Sequence, residues 1–279
     1  PPIHGAALAG ALCALAAVPA ARVGQIPGRT AFPLLALALT LAGLPAVSSP
    51  AEEATERARF RAIVPGVPLL AWADTPYQHV AVAGGETRHV YSGGQYAGSF
   101  PDASEHEVEA HVLACLAPRP ARVLAVGRLS LGGLRFLLRH PVERVDLVEI
   151  DRRAFDLVRR HLPREDAAAL EDPRVRVVFD DPRRFLARGS ERYDLVAVEA
   201  PDPVTLYLAR LSTVEFFRLA SRRLANDGVF VTRLRTAPNV LTGQTAALGG
   251  SVFGALRDVF PVVRAGPGPD GLLVAGFRA

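Results

Sequence analysis

Carboxylates and a glycine recur at one kind of position in this chain: just after short runs rich in β-branched residues. The runs RVLAV (122–126), RVDLVEI (144–150), RVRVVF (174–179) and YDLVAVEA (193–200) end at or beside Gly127, Glu149 with Asp151, Asp180 with Asp181, and Glu199 with Asp202. If the runs are parallel strands, these side chains gather at the carboxyl ends, where open α/β sheets bind ligands. Glu149 lies 22 positions after Gly127, close to the spacing at which an acidic side chain meets a ribose hydroxyl in nucleotide-binding sheets. A carboxylate accepts two hydrogen bonds and a ribose diol offers two donors, so Glu149 is a nucleoside-binding candidate; a strand end in solvent is the plainer alternative. The Asp180-Asp181 pair suits an adenine amino group, or the cap of a helix beginning near Arg183, and the two roles are compatible. The loop after Gly127 reads Arg128-Leu129-Ser130-Leu131-Gly132-Gly133, so only one glycine falls where a tight nucleotide loop needs it. Leu129 and Leu131 are expected either to block the cofactor or to reroute the loop.

Composition removes several chemistries. All 32 basic residues counted as Lys or Arg are arginine, so a Schiff base, a pyridoxal-phosphate lysine and a phosphate-loop lysine are excluded. Cys13 and Cys115 lack close cysteine partners, so they build neither a disulfide framework nor a zinc cluster. His106-Glu107-x-x-x-His111 is one residue too long for the zinc motif H-E-x-x-H, and its histidines fall on different helix faces. Gly127-x-x-Ser130-x-Gly132 misses the G-x-S-x-G nucleophile elbow by one residue. Neither a metal nor a nucleic-acid partner is expected. The net charge of +4 suits a chain near anionic lipid or phosphate, although coding bias alone accounts for some of the arginine.

The elements that must position the acidic residues follow from periodicity. After Pro120, strand-like runs alternate with helical stretches such as DRRAFDLVRRHL and TVEFFRLASRRL, the second opened by a capping box at Ser212-x-x-Glu215. Alternation of this kind predicts a parallel sheet with helices on both faces. GVFVTRL (228–234) is a fifth strand; a helix near 242–258 and the runs VVRAG and LLVAGF close the sheet with a hairpin. Between Leu69 and Ser99, YQHVAVA and ETRHVYS flank Gly84-Gly85 as a β-hairpin.

The first fifty residues are of another kind. Residues 3–21 carry no charge apart from a possible one on His4, and residues 30–47 carry none. Each run has about the roughly 17–25 residues that cross a hydrocarbon core as helix. The predicted organisation is a transmembrane helical hairpin over 1–50, a linker over 51–68, a small β subdomain over 69–105 and an α/β domain over 106–279. The start at Pro1-Pro2 and the absence of methionine suggest the C-terminal part of something longer. The expectation is a multi-pass protein of the cell membrane with its α/β domain in the cytoplasm, although Arg22 and Arg29 in the connector against Arg57, Arg59 and Arg61 after the second run leave the orientation open, and a buried helical hairpin is the plainer alternative.

The segments YQHV (77–80), HEVEAHV (106–112), RVLAVG, RVDLVEID, EDPRVRVVFDD, YDLVAVEAPDP and STVEFF resemble, in order and spacing, the spermidine synthase family of polyamine aminopropyltransferases. The run YSGGQYAGSFPD and the apolar N-terminal segments resemble its bacterial membrane-bound subgroup. The resemblance covers roughly residues 77–234; its motifs are specific as an ordered set, though each is weak alone. It implies a Rossmann-like sheet of the S-adenosylmethionine-dependent methyltransferase type, with decarboxylated S-adenosylmethionine as co-substrate and a diamine such as putrescine as acceptor. It also implies that Gln78 and His106 line the cofactor or amine site, that Glu149 binds ribose, and that Asp181 lies beside adenine. Gly127, Ser130, Asp151 and Asp180 complete the expected cofactor-binding set. Glu199 is implied as the base and Asp202 as an anchor for the amine.

The sequence departs from the family at Ser130, Pro182, Ser92 and Tyr96, and above all at Glu199, where the family has an aspartate. Two rival readings use the same sheet: methyl transfer from S-adenosylmethionine, and a silent nucleoside- or polyamine-binding domain that serves a membrane region. A homodimer is a further expectation.

Overall fold

The computed structural model describes residues 50–127, 131–200, 203, 206–235, 243–266 and 270–278. The predicted transmembrane hairpin, Ser130 and Asp202 lie outside these residues. The chain divides into two compact units, Pro1–Leu69 and Leu70–Ala279. In the first, residues 50–63 form helix α1, so most of the stretch expected as a linker is helical. AEEATERARFRA explains this: it holds no proline or glycine, and Glu53 and Arg57 pair across one turn at 2.6 Å. Among the described residues, no helix is long and apolar enough to cross a membrane.

The second unit opens with an antiparallel sheet of β1 (Leu69–Asp74), β2 (His79–Gly84), β3 (Arg88–Ser92) and β4 (Gln95–Phe100), in that spatial order. The β3–β4 turn is Gly93-Gly94, with φ of +57° and +81°, the left-handed pair that a two-residue hairpin loop needs. Helix α2 (Ala103–Leu116) starts two residues before the expected boundary at 105, because Asp102 caps it through the Glu105 N–H at 3.1 Å.

The large sheet follows. In chain order come β5 (Arg122–Gly127), α3 (Leu134–Leu137), β6 (Arg144–Glu149), α4 (Arg152–Arg159), α5 (Arg164–Ala169), β7 (Val175–Phe179), α6 (Pro182–Arg188) and β8 (Tyr193–Glu199). Then come α7 (Leu206–Ala209), α8 (Val214–Arg222), β9 (Leu224–Arg235), α9 (Gly243–Arg257), β10 (Val262–Ala265) and β11 (Asp270–Gly276). Among the described residues the sheet runs β10-β11-β9-β8-β5-β6-β7. From β9 to β7 the pairings are parallel, and β10 and β11 close the other edge antiparallel. The cap of α8 is Thr213, which accepts from the Phe216 N–H at 3.3 Å, one residue later than the expected Ser212. Thr213 has the extended backbone, φ −103° and ψ 157°, that a cap requires.

Three apolar cores hold the unit together. One joins α8 and α9 to the sheet through Phe216, Phe217, Phe230 and Phe260. A second packs α2 and α3 on Val123, Val145 and Leu195. The third ties the hairpin sheet to α4 through Val80, Val90, Phe100, Leu131, Ala154 and Val158. The strands are short apolar runs because both sheet faces are covered.

Candidate active site

The register of the parallel strands aligns the tips. Gly127 pairs with Glu199 across β5 and β8, and Glu149 pairs with Phe179 across β6 and β7. Val126 pairs with Val148, and Val198 with Thr232, so one row reads Phe179, Glu149, Gly127, Glu199, Arg233. Residues at one level of a parallel sheet leave it on the same face. Two carboxylates are thus held two strand spacings apart, roughly 10 Å, with a glycine between them.

Gly127 cannot be otherwise. Its φ is +97°, and a Cβ there would sit 2.5 Å from the Glu199 carbonyl oxygen. Glycine meets both demands, a left-handed backbone and a close strand approach.

The part of this row from Glu149 to Arg233 forms the floor of a cleft of about 190 Å³, roofed by the hairpin sheet through Gln78, Ser92 and Tyr96. Ile150, Pro182 and Leu211 line an apolar part of it. Leu131 is redirected into the third core and forms part of the wall. Gly98 makes room for it, since a Cβ there would meet Leu131 Cδ1 at 2.8 Å. Leu129 lies outside the described residues.

The expected site residues divide into three groups. Gln78, Gly127, Glu149, Asp151 and Glu199 line the cleft together. The Gln78 carboxamide accepts from Ser92 Oγ. Asp151 is also a strut: Oδ1 accepts the Ala154 N–H at 3.0 Å to cap α4, and Oδ2 accepts from Thr75 Oγ1 in the β1–β2 turn.

His106, Asp180 and Asp181 form the second group and stand off the cleft wall. His106 is 1% exposed; its Nε2 lies 2.8 Å from the Ser99 carbonyl and therefore donates to it. Asp181 caps α6 through the Arg183 N–H at 2.8 Å and pairs with Arg210. Asp180 accepts from Arg184 and from the Asp181 N–H. Burial would raise the Asp180 carboxyl, but these hydrogen bonds outweigh it and hold it below the usual carboxylate range. Asp181 thus takes the capping role that was expected alongside contact with adenine. Ser130 and Asp202, the third group, lie outside the described residues.

Sequence reasoning missed Arg233. It lines the cleft, and its Nε donates to Glu199 Oε1 at 3.0 Å. The signal was available, because Arg233 sits near the end of the fifth strand-like run, where the rule applied to the other four would have found it. Among the described residues, no group of three or more His, Cys, Asp or Glu side chains could hold a metal ion.

A parallel five-strand core with an antiparallel closing hairpin, and a cleft across the carboxyl tips of β6, β5 and β8, defines a Rossmann-like architecture. The spermine/spermidine synthase domain matches residues 102–241, half of the chain, and the protein belongs to that family. It is 33% identical over 163 residues to a polyamine aminopropyltransferase of Bacillus mycoides, covering 57% of this chain and 56% of that protein. To one of Desulforudis audaxviator it is 35% identical over 164 residues, covering 57% and 58%. The chain spans about half the length of these curated relatives. Among solved structures, a spermidine synthase in complex with the transition-state analogue AdoDATO superposes with a TM-score of 0.66 at 22% identity, covering 76% of this chain and 74% of that one. The spermidine synthase of Thermotoga maritima gives 0.64 at 22% identity, covering 76% and 73%. These two likenesses establish the shared fold.

Proposed function

We propose that this protein transfers an aminopropyl group from decarboxylated S-adenosylmethionine to a diamine such as putrescine. The observation that carries the reading is the row Glu149–Gly127–Glu199 beneath the hairpin roof, an acidic floor divided by a gap without a side chain. In this reading Glu149 accepts the ribose hydroxyls, and Ile150, Pro182 and Leu211 enclose the adenine. The donor's sulfur then lies above Gly127. Glu199 takes a proton from the attacking amine, since a protonated amine has no lone pair to give. The nitrogen lone pair forms a bond to the methylene beside the sulfonium, the C–S bond breaks, and its electron pair stays on sulfur. Methylthioadenosine leaves as a neutral thioether, so the protein supplies orientation and deprotonation and needs no oxyanion site. By the resemblance, Asp202 holds the far ammonium of the diamine and Ser130 faces the aminopropyl end.

The relatives' name and the complex of one fold neighbour with AdoDATO support this choice of donor and acceptor. Attachment to a membrane through residues 3–47, with the α/β unit in the cytoplasm, and pairing into a homodimer belong to the same proposal. The test is incubation of the purified chain with putrescine and decarboxylated S-adenosylmethionine. Spermidine and methylthioadenosine are expected in equal amounts, and no product at high enzyme concentration would sink the reading.

A further inference from the structure

We infer that Arg233, anchored by Glu109, is a positioning residue that fixes the Glu199 carboxylate at the reacting end of the cleft. The inference rests on the aminopropyl-transfer reading and adds to it the device that aims the base. Thr232 pairs with Val198 across β8 and β9, so Arg233 and Glu199 leave the sheet side by side on one face, and Nε reaches Oε1 at 3.0 Å. A terminal nitrogen of the same guanidinium lies 3.3 Å from Glu109 Oε1 on α2. Beyond it, Glu109 Oε2 lies 3.7 Å from His106 Nδ1, and the other nitrogen of that ring meets the Ser99 carbonyl on β4 at 2.8 Å. Polar groups thus follow one another from the roof sheet through α2 to the tip of β8, with a hydrogen bond at each end and ion-pair contacts through Glu109 between them.

Stability is a poor explanation for this arrangement. Glu199 is 2% exposed and Glu109 5%, and burying such charges costs about as much as their attraction returns, so apolar replacements of equal volume often do as well. What a guanidinium supplies is a planar fork with fixed donor directions. Glutamate has three side-chain torsions to order, and a base works only within hydrogen-bond reach of its proton.

The experiment compares the full chain with Arg233→Gln, Arg233→Lys and Glu109→Gln. The readouts are kcat, KM for both substrates and the dissociation constant of methylthioadenosine. Arg233→Gln is expected to lower kcat by at least about tenfold while nucleoside affinity stays within about twofold, since misplacement penalises the step and not the bound adenosine. Arg233→Lys keeps the charge but cannot bridge both glutamates, so it should fall between. Glu109→Gln loosens the anchor without touching the cleft and should also lower kcat alone; it decides the matter if the Arg233 variants do not fold. Unchanged kcat in Arg233→Gln and Glu109→Gln overturns the inference and leaves aminopropyl transfer standing, as does an equal loss of kcat and nucleoside affinity. A parent chain that binds methylthioadenosine but never forms spermidine overturns both.

Discussion

Glu149 and Glu199 share a level of the sheet, and the proposed reaction gives them different tasks, a separation that is measurable. Glu149→Gln removes a charged acceptor from a sugar diol, and hydrogen bonds to charged groups contribute roughly 1.5–3 kcal/mol. Methylthioadenosine should therefore bind about ten- to a hundredfold more weakly by calorimetry. Glu199→Gln should instead lower kcat by about 10²- to 10⁴-fold, the usual contribution of a general base, with nucleoside affinity nearly unchanged. Equal effects of both substitutions on affinity would show that the two carboxylates serve one subsite. Their position at the cleft floor was legible in the sequence because each closes an apolar run, and ends of parallel strands gather at one edge of the sheet. Arg233 was overlooked because strand ends were read for carboxylates and glycine alone; the β8–β9 register is what puts its side chain against Glu199.

Elements decide which acidic residues reach the cleft. Asp151, Asp181 and Thr213 are all helix caps, each accepting a backbone N–H from the first turn. For Asp181 the cap and the Arg210 pair withdraw the carboxylate from the cavity. For Asp151 the cap leaves it on the wall while Thr75 ties it to the roof. Capping potential was legible at all of these positions; which N–H each would meet was not, since caps one residue apart have nearly equal sequence support. Stability measurements separate them at α8. Thr213→Ala should cost about 1 kcal/mol in denaturant unfolding, and Ser212→Ala should stay within about 0.5 kcal/mol. The reverse order would restore Ser212 as the cap. The helix over residues 50–63 makes the same point, because a charged stretch with good helix formers and (i, i+4) pairs folds where a linker was expected.

At the scale of the whole molecule, two groups of ionisable side chains make stability fall as pH falls, in two windows, while Asp166, whose carboxyl is raised by burial, acts in the opposite sense. Burial, followed by the neighbouring His111, lowers the His140 pKa below 6.5; burial, followed by Arg88 and Arg160, does the same for His161. A histidine with a depressed folded pKa binds its proton more readily when unfolded, so stability present above about pH 6.5 is lost as pH drops towards the folded value. The carboxyls of Asp102 and Asp180 are lowered, burial being outweighed by hydrogen bonds, and Asp172 is lowered chiefly by Arg174. Their contribution is present above about pH 4 and disappears below it. The melting temperature should therefore decline between pH 7 and 5 and again below pH 4, and His140→Gln should flatten the first decline. A first window untouched by that substitution would remove His140 from the account.

What the chain's order of residues determined alone was the alternation of strand and helix, a β-hairpin ahead of it, and the acidic strand ends. These follow from local periodicity and turn chemistry, which act over a few neighbours. Tertiary structure decided that Leu131 enters the core between the hairpin sheet and α4, that Asp180 and Asp181 turn to their own helix, and that Arg233 meets Glu199 and Glu109. Each of these outcomes depends on strand register and on which helix end lies nearest. Contacts of that kind join residues far apart in the chain, and they exist only once the sheet has paired.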